Sequence, residues 1–502
     1  MKRIKSIILA GMLLLLCFIP NIAAADQSAK DLTSSTKLTV TGHHPNASVI
    51  LHSKYLDSFV EFKADESMQL TWKAGVDPRA LCLQWIELPV DVIVRTFGSD
   101  GEILSEQPVS PYYDTINLIP EGALSLQLIA GKKGMTLGHV QVFSDGILPE
   151  PFFAWTPAPE GLDYLLVATH PDDDTLFLGA VPPILGAEQG YVGTVAYMTA
   201  SKRERISEAE CGLWTMGSTY YPMFLGFPDI PQTQRKESDQ DFTLNDLIPA
   251  LVKLFRQYKP LVVFTQDVNG EYGHWQHKRV CAAVIEASKL CADSSYDPAS
   301  ANEYGVWEVK KCYVHLYPEN PLTFDIYEPL ASMGGQSAFD VAKAAFAKHE
   351  SQQSGRHHVN GANEDYAISK FGMAYGTVEA GTEAFMNIDR AAARGEEATP
   401  EPSLCATESP TEAPTDTPAP SDTPKPSESP QSAESNAPSA GMQSEPTAVP
   451  AAPQESPTPT PAPEPQHDSS VSDALIIGLL ITAGVLTIGI IICLILLKKK
   501  NR

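Results

Sequence analysis

Apolar and polar residues follow two different patterns along the chain, and each pattern predicts a different kind of sheet. Between residues 33 and 145, short alternating runs are separated by Gly, Pro, Asp and Asn, which is typical of antiparallel strands in a β-sandwich. Within residues 160–395, the runs 164–168 and 261–265 are uniformly apolar apart from the final Thr265, as in buried parallel strands. We therefore expect an all-β sandwich domain followed by an α/β domain with a Rossmann-like parallel sheet.

Apolar segments at the two ends predict export and membrane attachment. Basic residues precede the apolar stretch 7–19, and a run of alanines ends at residue 25, so residues 1–25 are predicted to be a secretory signal peptide. Residues 474–497 carry no charged side chain and would form a helix of about 36 Å, enough to cross a ~30 Å hydrocarbon core. The basic tail 498–502 follows, and the positive-inside rule places it in the cytoplasm. We expect a single-pass protein of the cell membrane with its N-terminal ectodomain outside the cell.

Residues 396–473 have a composition that cannot form a packed core. They contain 18 of the chain's 41 prolines, with many Ser, Thr and Glu residues, so we expect a disordered, extended stalk. Fourteen acidic residues and one lysine give this segment about half of the formal net charge of −25. Nothing in the charge balance indicates a nucleic-acid surface, and we predict no nucleic-acid partner.

Residues able to bind a metal ion follow both uniformly apolar runs. His170, Asp172 and Asp173 stand in the turn after the first run, and His274 and His277 open a helix after the second. In open α/β sheets ligands bind outside the carboxyl ends of the strands, so these side chains are expected in one cleft. Taken singly, the carboxylates would cap a helix and the histidines would be a surface pair. Together they predict a Zn²⁺ site with a mixed imidazole and carboxylate shell.

The chemistry expected of such a site is hydrolytic. Three protein ligands leave a coordination position for water, and Zn²⁺ lowers the pKa of that water to about 7. Asp172 is adjacent to a ligand, so it can take a proton from the water and pass it to a leaving amine. His274 lies one helical turn before His277, where its ring can reach the oxygen of a tetrahedral intermediate. The residue types therefore indicate amide hydrolysis.

The two motifs resemble those of a known family, the PIG-L/LmbE-like zinc-dependent N-acetylglucosaminyl deacetylases. The family's His-Pro-Asp-Asp-Glu stands here as His170-Pro-Asp-Asp-Asp174, with Asp in place of the final Glu. Its Gly-His-x-x-His ahead of a helix stands as Gly273-His-Trp-Gln-His277. The resemblance covers roughly residues 160 to 390.

The resemblance also implies individual roles. His170, Asp173 and His277 are expected to bind one Zn²⁺ per chain. Asp172 is expected to be the general base, and His274 to stabilise the developing oxyanion. The substrate implied is an N-acetylated glycan.

Further residues are candidates for contacting that substrate. Arg205 and Glu208 resemble an Arg-x-x-Glu of the family, and Arg205 is predicted to bind substrate. Trp275 is also predicted to bind substrate, its ring gripping extra sugar rings together with Tyr272, although it could instead pack beside the helix. Four aromatic residues of the predicted sandwich could likewise either stack on a sugar ring or pack in the core. They are Trp72, Trp85, Tyr112 and Tyr113.

The sequence thus predicts a membrane-anchored, zinc-dependent deacetylase acting on an extracellular glycan that contains N-acetylglucosamine. Two alternatives stay open, namely a non-catalytic glycan-binding surface protein and a metal-dependent amidase acting on a non-sugar amide. The residue pattern selects no oligomeric state. The six cysteines between the two apolar ends allow fifteen disulfide pairings, or free thiols.

Overall fold

A computed structural model describes residues 27–52, 58–73, 75–199, 202–231 and 241–395. All of these residues fall within one compact unit, Met1–Cys405. The predicted signal peptide, stalk, transmembrane helix and basic tail lie outside the described residues. Among the helices that are described, none combines the length and the apolar character needed to span a bilayer.

The first part of the described chain contains antiparallel strands and one short helix, α1 (Val49–His52). The strands are β1 (Thr36–Val40), β2 (Val60–Phe62), β3 (Ser67–Trp72), β4 (Ala80–Trp85), β5 (Ile93–Phe97), β6 (Ile103–Pro108), β7 (Asp114–Leu118), β8 (Ser125–Ile129) and β9 (Met135–Phe143). They form a five-stranded sheet in the order β1-β3-β8-β5-β6 and a four-stranded sheet in the order β2-β9-β4-β7. Alternate side chains of β5 and β8 are buried, and they share one hydrophobic core with side chains of the other sheet. The period of two that predicted antiparallel strands therefore places one face of each strand in this core.

The aromatic residues singled out in these sheets take part in packing. The indole N–H groups of Trp72 and Trp85 donate hydrogen bonds inside the core, over 2.8 and 3.0 Å. Tyr112 stacks on Tyr221 with ring centroids 3.9 Å apart, and Tyr113 packs edge-on against Phe224 at 5.6 Å. Packing is thus the alternative that the structure favours for these rings.

The second part of the described chain is built on one mixed sheet. Its strands are β10 (Tyr164–Ala168), β11 (Gly193–Thr199), β12 (Met223–Phe227), β13 (Val262–Thr265), β14 (Lys311–His315), β15 (Pro321–Thr323) and β16 (Lys370–Gly376). The order is β12-β11-β10-β13-β14-β16-β15, in which β10 to β14 run parallel. At one edge, β16 pairs antiparallel with both β14 and β15. Strands β10, β11 and β13 are buried along their whole length, which explains why their sequences contain no charged residue and few polar ones.

Helices cover both faces of this sheet. They are α2 (Asp173–Leu176), a π-helix (Pro182–Glu188), α3 (Arg203–Thr215), α4 (Leu244–Tyr258), α5 (Trp275–Leu290), α6 (Pro298–Tyr304), α7 (Ala338–Phe346) and α8 (Arg390–Arg394). Successive residues of β10 enter different cores, since Leu166 belongs to one cluster and Leu165 and Val167 to the other. The α/β class predicted for this region is confirmed.

The strand order reverses direction between β10 and β13. The chain passes from β10 to β11 and β12 on one side, then returns to β13 and β14 on the other side. At such a switch point the loops after the two central strands separate and leave a crevice at their carboxyl ends. Both predicted motifs follow these two strands.

The described cysteines are thiols. Cys82, Cys211, Cys281, Cys291 and Cys312 are all buried and free. Among the open pairings, the described part of the chain therefore favours free thiols.

Candidate metal and catalytic site

The predicted metal ligands and catalytic residues line one cavity at the switch point. Its volume is about 230 Å³, and its walls include His170, Asp172, Asp173, His274 and His277. The first three come from the turn after β10 and the start of α2, and the two histidines come from the start of α5. The rule for open α/β sheets therefore locates the site correctly.

Three atoms in this cavity are spaced as metal ligands would be. His170 Nδ1 lies 3.1 Å from His277 Nε2 and 3.2 Å from Asp173 Oδ2, and His277 Nε2 lies 3.4 Å from Asp173 Oδ2. Donor atoms about 2.0–2.2 Å from a tetrahedral ion lie roughly 3.3–3.6 Å apart. The two imidazoles and one carboxylate thus fit a Zn²⁺ ion.

The outward-facing nitrogens of both histidines have hydrogen-bond acceptors. His277 Nδ1 lies 2.8 Å from Glu271 Oε2, and His170 Nε2 lies 3.2 Å from Gln276 Oε1. Gln276 is itself fixed, because its Nε2 donates to the carbonyl oxygen of Pro228 over 2.9 Å. With hydrogen on the outward nitrogens, the lone pairs of the other two nitrogens point at the shared centre.

Glu271 is the functional residue that the sequence motifs did not assign. It is fully buried, and its Oε1 lies 2.7 Å from His315 Nδ1 and accepts the backbone N–H of Asp267 over 3.0 Å. Burial alone would raise the pKa of Glu271, but hydrogen bonds from His277 and His315 outweigh it and lower the pKa to about 2. Glu271 is therefore an ionised carboxylate that orients His277 and increases its basicity as a ligand.

Asp172 is held beside the three donor atoms by an arginine. Arg205 Nη2 donates to Asp172 Oδ1 over 2.9 Å and to the carbonyl oxygen of Pro171 over 3.1 Å, and its Nη1 donates to Asp229 Oδ2 over 3.0 Å. Burial raises the pKa of Asp172, although the charge of Arg205 opposes the shift. Arg205 lines the cavity as predicted for a substrate contact, but much of its guanidinium is engaged in holding two carboxylates.

His274 sits at the edge of the same group. Its ring centroid lies 4.9 Å from that of His170 and 4.6 Å from that of His277, and the ligand atoms of the three histidines lie within 4.8 Å of one another. Its Nδ1 is buried without a hydrogen-bond partner among the described residues. Burial and the neighbouring His277 and His170 lower the pKa of His274 to about 3, so its ring is neutral at pH 7. The shorter spacing of the set with Asp173 favours Asp173 as the third ligand, and this assignment stays a prediction.

Asp174 occupies the position where the family has Glu. It is fully buried, and burial raises its pKa to about 8 although the nearby Tyr197 hydroxyl opposes the shift. Its carboxyl group is consequently protonated for the most part at pH 7, next to ionised groups of the site.

The structure corrects the substrate-binding role predicted for Trp275. Only 2% of this residue is exposed, and its ring packs edge-on against Phe242 with centroids 5.8 Å apart. The guanidinium of Arg279 lies 4.9 Å from the ring centroid. Trp275 belongs to a hydrophobic core and offers no free face to a sugar ring. Tyr272, by contrast, is 46% exposed and lines the cavity.

Comparisons with known proteins agree with the motifs. Residues 165–288 match a family model described as PIG-L: GlcNAc-PI de-N-acetylase. A 1D-myo-inositol 2-acetamido-2-deoxy-alpha-D-glucopyranoside deacetylase 1 from Catenulispora acidiphila is 29% identical over 205 residues, which cover 35% of this chain and 62% of the relative. A deacetylase of the same description from Geodermatophilus obscurus is 28% identical over 216 residues, which cover 36% of this chain and 72% of that protein.

The chain thus spans somewhat less than two thirds of the first relative's length. Among solved structures, N,N'-diacetylchitobiose deacetylase from Pyrococcus horikoshii with its inhibitor MPG aligns at a TM-score of 0.31 and 16% identity, covering 38% of this chain and 71% of that one. A likeness at that level carries no argument about function. Residues 165–288, which match the PIG-L family model, contain both motifs and the three closely spaced donor atoms.

Proposed function

We propose that this protein is a zinc-dependent deacetylase that hydrolyses the N-acetyl amide of an N-acetylglucosamine-containing glycan outside the cell. The observation that carries the proposal is the spacing of 3.1–3.4 Å among donor atoms of His170, Asp173 and His277, with Asp172 held beside them. The two relatives named above are deacetylases of a 2-acetamido-2-deoxy-glucoside, which supports the same class of reaction.

His170, Asp173 and His277 would hold the ion. When bound there, Zn²⁺ would act as a Lewis acid and lower the pKa of the attacking water to about 7. Arg205 engages Asp172 Oδ1 and so fixes the carboxylate, which leaves Oδ2 to accept a proton from the attacking water. The same carboxyl group then delivers that proton to the amine as the amide C–N bond breaks.

His274 provides the second catalytic function. Its neutral ring carries one N–H group, which can donate to the amide oxygen as negative charge develops there. Removing a single donor of this kind typically costs about 10²–10³ in rate. Asp172 and His274 line the same cavity, where electrostatic interactions are stronger than in bulk water.

The location of the reaction is part of the proposal and rests on the sequence. The segments 1–25 and 474–497 support export and anchoring in the cell membrane. A glycan at the cell surface is the substrate that such a location would offer.

The test combines metal content with acetate release from the full-length chain in detergent. We expect one Zn²⁺ per chain by elemental analysis, and at least tenfold weaker zinc binding in each of His170→Ala, Asp173→Ala and His277→Ala. His43→Ala, an exposed histidine in the first part of the chain, is the control and should keep its zinc. Acetate should be released from N-acetylglucosamine glycosides in proportion to zinc content. Full zinc retention in any two ligand variants would refute the ligand set, and absence of acetate from every glycoside tested would refute the activity.

A further inference from the structure

A second cleft adjoins the catalytic cavity. It has a volume of about 390 Å³, and its walls include Arg356, Asn360, Asp365 and Tyr366. The ring of Tyr272 lines both the catalytic cavity and this cleft, so the two spaces meet at that side chain. A ligand bound in the catalytic cavity can therefore continue past Tyr272 into the cleft.

The wall between the two spaces is aromatic and fixed. The rings of Tyr272 and Tyr366 lie 4.3 Å apart between centroids at an interplanar angle of 51°. Tyr272 has φ 55° and ψ 19°, a left-handed conformation that is unusual for a bulky residue. Strained backbone of this kind persists where the surrounding structure holds it, and it is common at ligand sites. The aromatic pair thus presents a positioned apolar surface at the junction.

The remaining wall presents groups that can bind hydroxyls. Asn360 is 5% exposed, and its Nδ2 donates to the carbonyl oxygen of His358 over 2.9 Å, which fixes the direction of its amide. Glu364 Oε2 accepts the backbone N–H of Gly361 over 2.8 Å. Arg356 and Asp365 are exposed at the rim. Binding sites usually combine an apolar surface with a few fixed polar groups in this way.

The loop that forms the cleft is tied to the catalytic domain. The backbone N–H and the hydroxyl of Ser351 both donate to the carboxylate of Glu208, each over 2.6 Å, and Glu208 is buried. Further along, the backbone N–H of Ala362 donates to the hydroxyl of Tyr327 over 3.2 Å. The Glu208 of the predicted Arg-x-x-Glu therefore anchors the loop beside the site instead of contacting the catalytic groups.

We infer that this cleft, the Tyr366 subsite, binds the sugar ring next to the N-acetylglucosamine residue that is deacetylated. The inference rests on the proposed function and narrows its substrate to oligosaccharides or polysaccharides. The catalytic cavity of about 230 Å³ lies below the range of roughly 300–1,000 Å³ that is typical of ligand sites, whereas the adjoining cleft adds space for a further ring.

The charges of the subsite favour a neutral ring. Glu364 and Asp365 contribute two carboxylates, and Arg356 contributes one cation. A sugar acid would be repelled by these carboxylates, which outnumber the single arginine. The neighbouring unit of the substrate is therefore an uncharged sugar.

The first test measures kcat/KM of the full-length zinc enzyme for N-acetylglucosamine and for its disaccharide and tetrasaccharide. We expect at least a tenfold preference for the disaccharide. Tyr366→Ala should reduce this preference to less than threefold, mainly by lowering kcat/KM for the disaccharide, and the matched control Tyr366→Phe should keep the preference. Asp365 is exposed, so Asp365→Asn should leave folding unaffected, and it should lower the preference for the disaccharide at least threefold. Equal kcat/KM for all lengths, or equal losses on monosaccharide and disaccharide, would overturn the subsite.

A binding measurement separates failure of the subsite from failure of the proposed function. Calorimetric titration of the zinc-loaded Asp172→Asn variant with the same saccharides should show the disaccharide binding at least tenfold more tightly than the monosaccharide. If no saccharide yields acetate with the wild type, the proposed activity is wrong, and this titration alone decides the subsite. Equal dissociation constants would refute it, as would tighter binding of a disaccharide whose second ring is a uronic acid.

Discussion

Replacing Glu271 with Gln tests whether the buried carboxylate controls the metal site. The wild-type side chain lies 2.8 Å from His277 Nδ1 and 2.7 Å from His315 Nδ1, and it also accepts the N–H of Asp267. Gln keeps the shape but removes the charge and turns one oxygen into an NH₂ group. If the amide oxygen stays with His277, the NH₂ group faces both His315 and the N–H of Asp267, and that N–H loses its acceptor.

Two effects of different size follow from this geometry. Loss of an outer partner of a ligating histidine typically costs 10- to 100-fold in metal affinity, which is about 1.4–2.7 kcal/mol. A buried donor left without a partner costs about 1–3 kcal/mol of folding stability. We expect Glu271→Gln to fold, to unfold more easily by that amount without metal, and to bind zinc 10- to 100-fold more weakly.

The assay is competition for zinc against a chelator of known affinity, together with denaturant unfolding of the metal-free protein. Glu319→Gln is the matched control, because Glu319 is exposed, and both quantities should be unchanged in it. Glu271→Ala is unsuitable because it would leave three buried donors unpaired. Zinc affinity of Glu271→Gln within threefold of the wild type would refute the role assigned to this carboxylate.

The other predictions concern the catalytic groups and the contact with the N-terminal sheets. Asp172→Asn should keep zinc but lose about 10²–10⁴ in kcat, because an amide cannot accept the proton. His274→Ala should lose about 10²–10³ in kcat with KM nearly unchanged. Wild-type turnover in the first variant would require another base, and in the second another oxyanion donor. Asp114→Ala should lower the free energy of unfolding by about 3–5 kcal/mol in denaturant titrations, because it leaves Arg203 buried without its carboxylate, and a loss below 1 kcal/mol would contradict this. Burial, reinforced by Asp114, raises the pKa of Glu210 well above its usual 4.5, so its contribution to stability is complete below pH 4.5 and is lost as pH rises. The melting temperature of Glu210→Gln minus that of the wild type should therefore increase from pH 5 to pH 8, and a constant difference would show that Glu210 is ionised in the folded protein.

Local patterns were sufficient to predict where the metal-binding residues meet. The uniformly apolar run before His170 marks a buried strand, and parallel strands end at the same edge of a sheet, so residues that follow two such strands share a crevice. His170 and His277 are 107 residues apart in the chain, yet this rule brings their rings together.

Rules of this kind could not predict the contacts of the residues that hydrogen-bond to the predicted metal ligands. His315 pairs with Glu271 from the end of β14, 44 residues away, and no spacing rule connects these two positions. The signal available in the sequence was the position of His315 at the end of a third buried strand. The substrate-binding prediction for Trp275 was wrong for a related reason, since its core neighbour Phe242 comes from a segment remote from α5. Burial of a residue at the start of a helix depends on what packs over it, which the periodicity of the helix itself does not contain.

The contact between the N-terminal sheets and α3 connects the first part of the chain to catalysis. Asp114, at the start of β7, forms a buried ion pair with Arg203, and its other oxygen accepts from Ser207 over 2.9 Å. Two residues after Arg203 on the same helical turn, Arg205 holds Asp172. Because the backbone hydrogen bonds of a helix make one turn a stiff unit, movement at Arg203 would displace Arg205 and with it the carboxylate of Asp172. The N-terminal sheets thus contact the helix that holds Asp172, through two residues 89 positions apart in the chain.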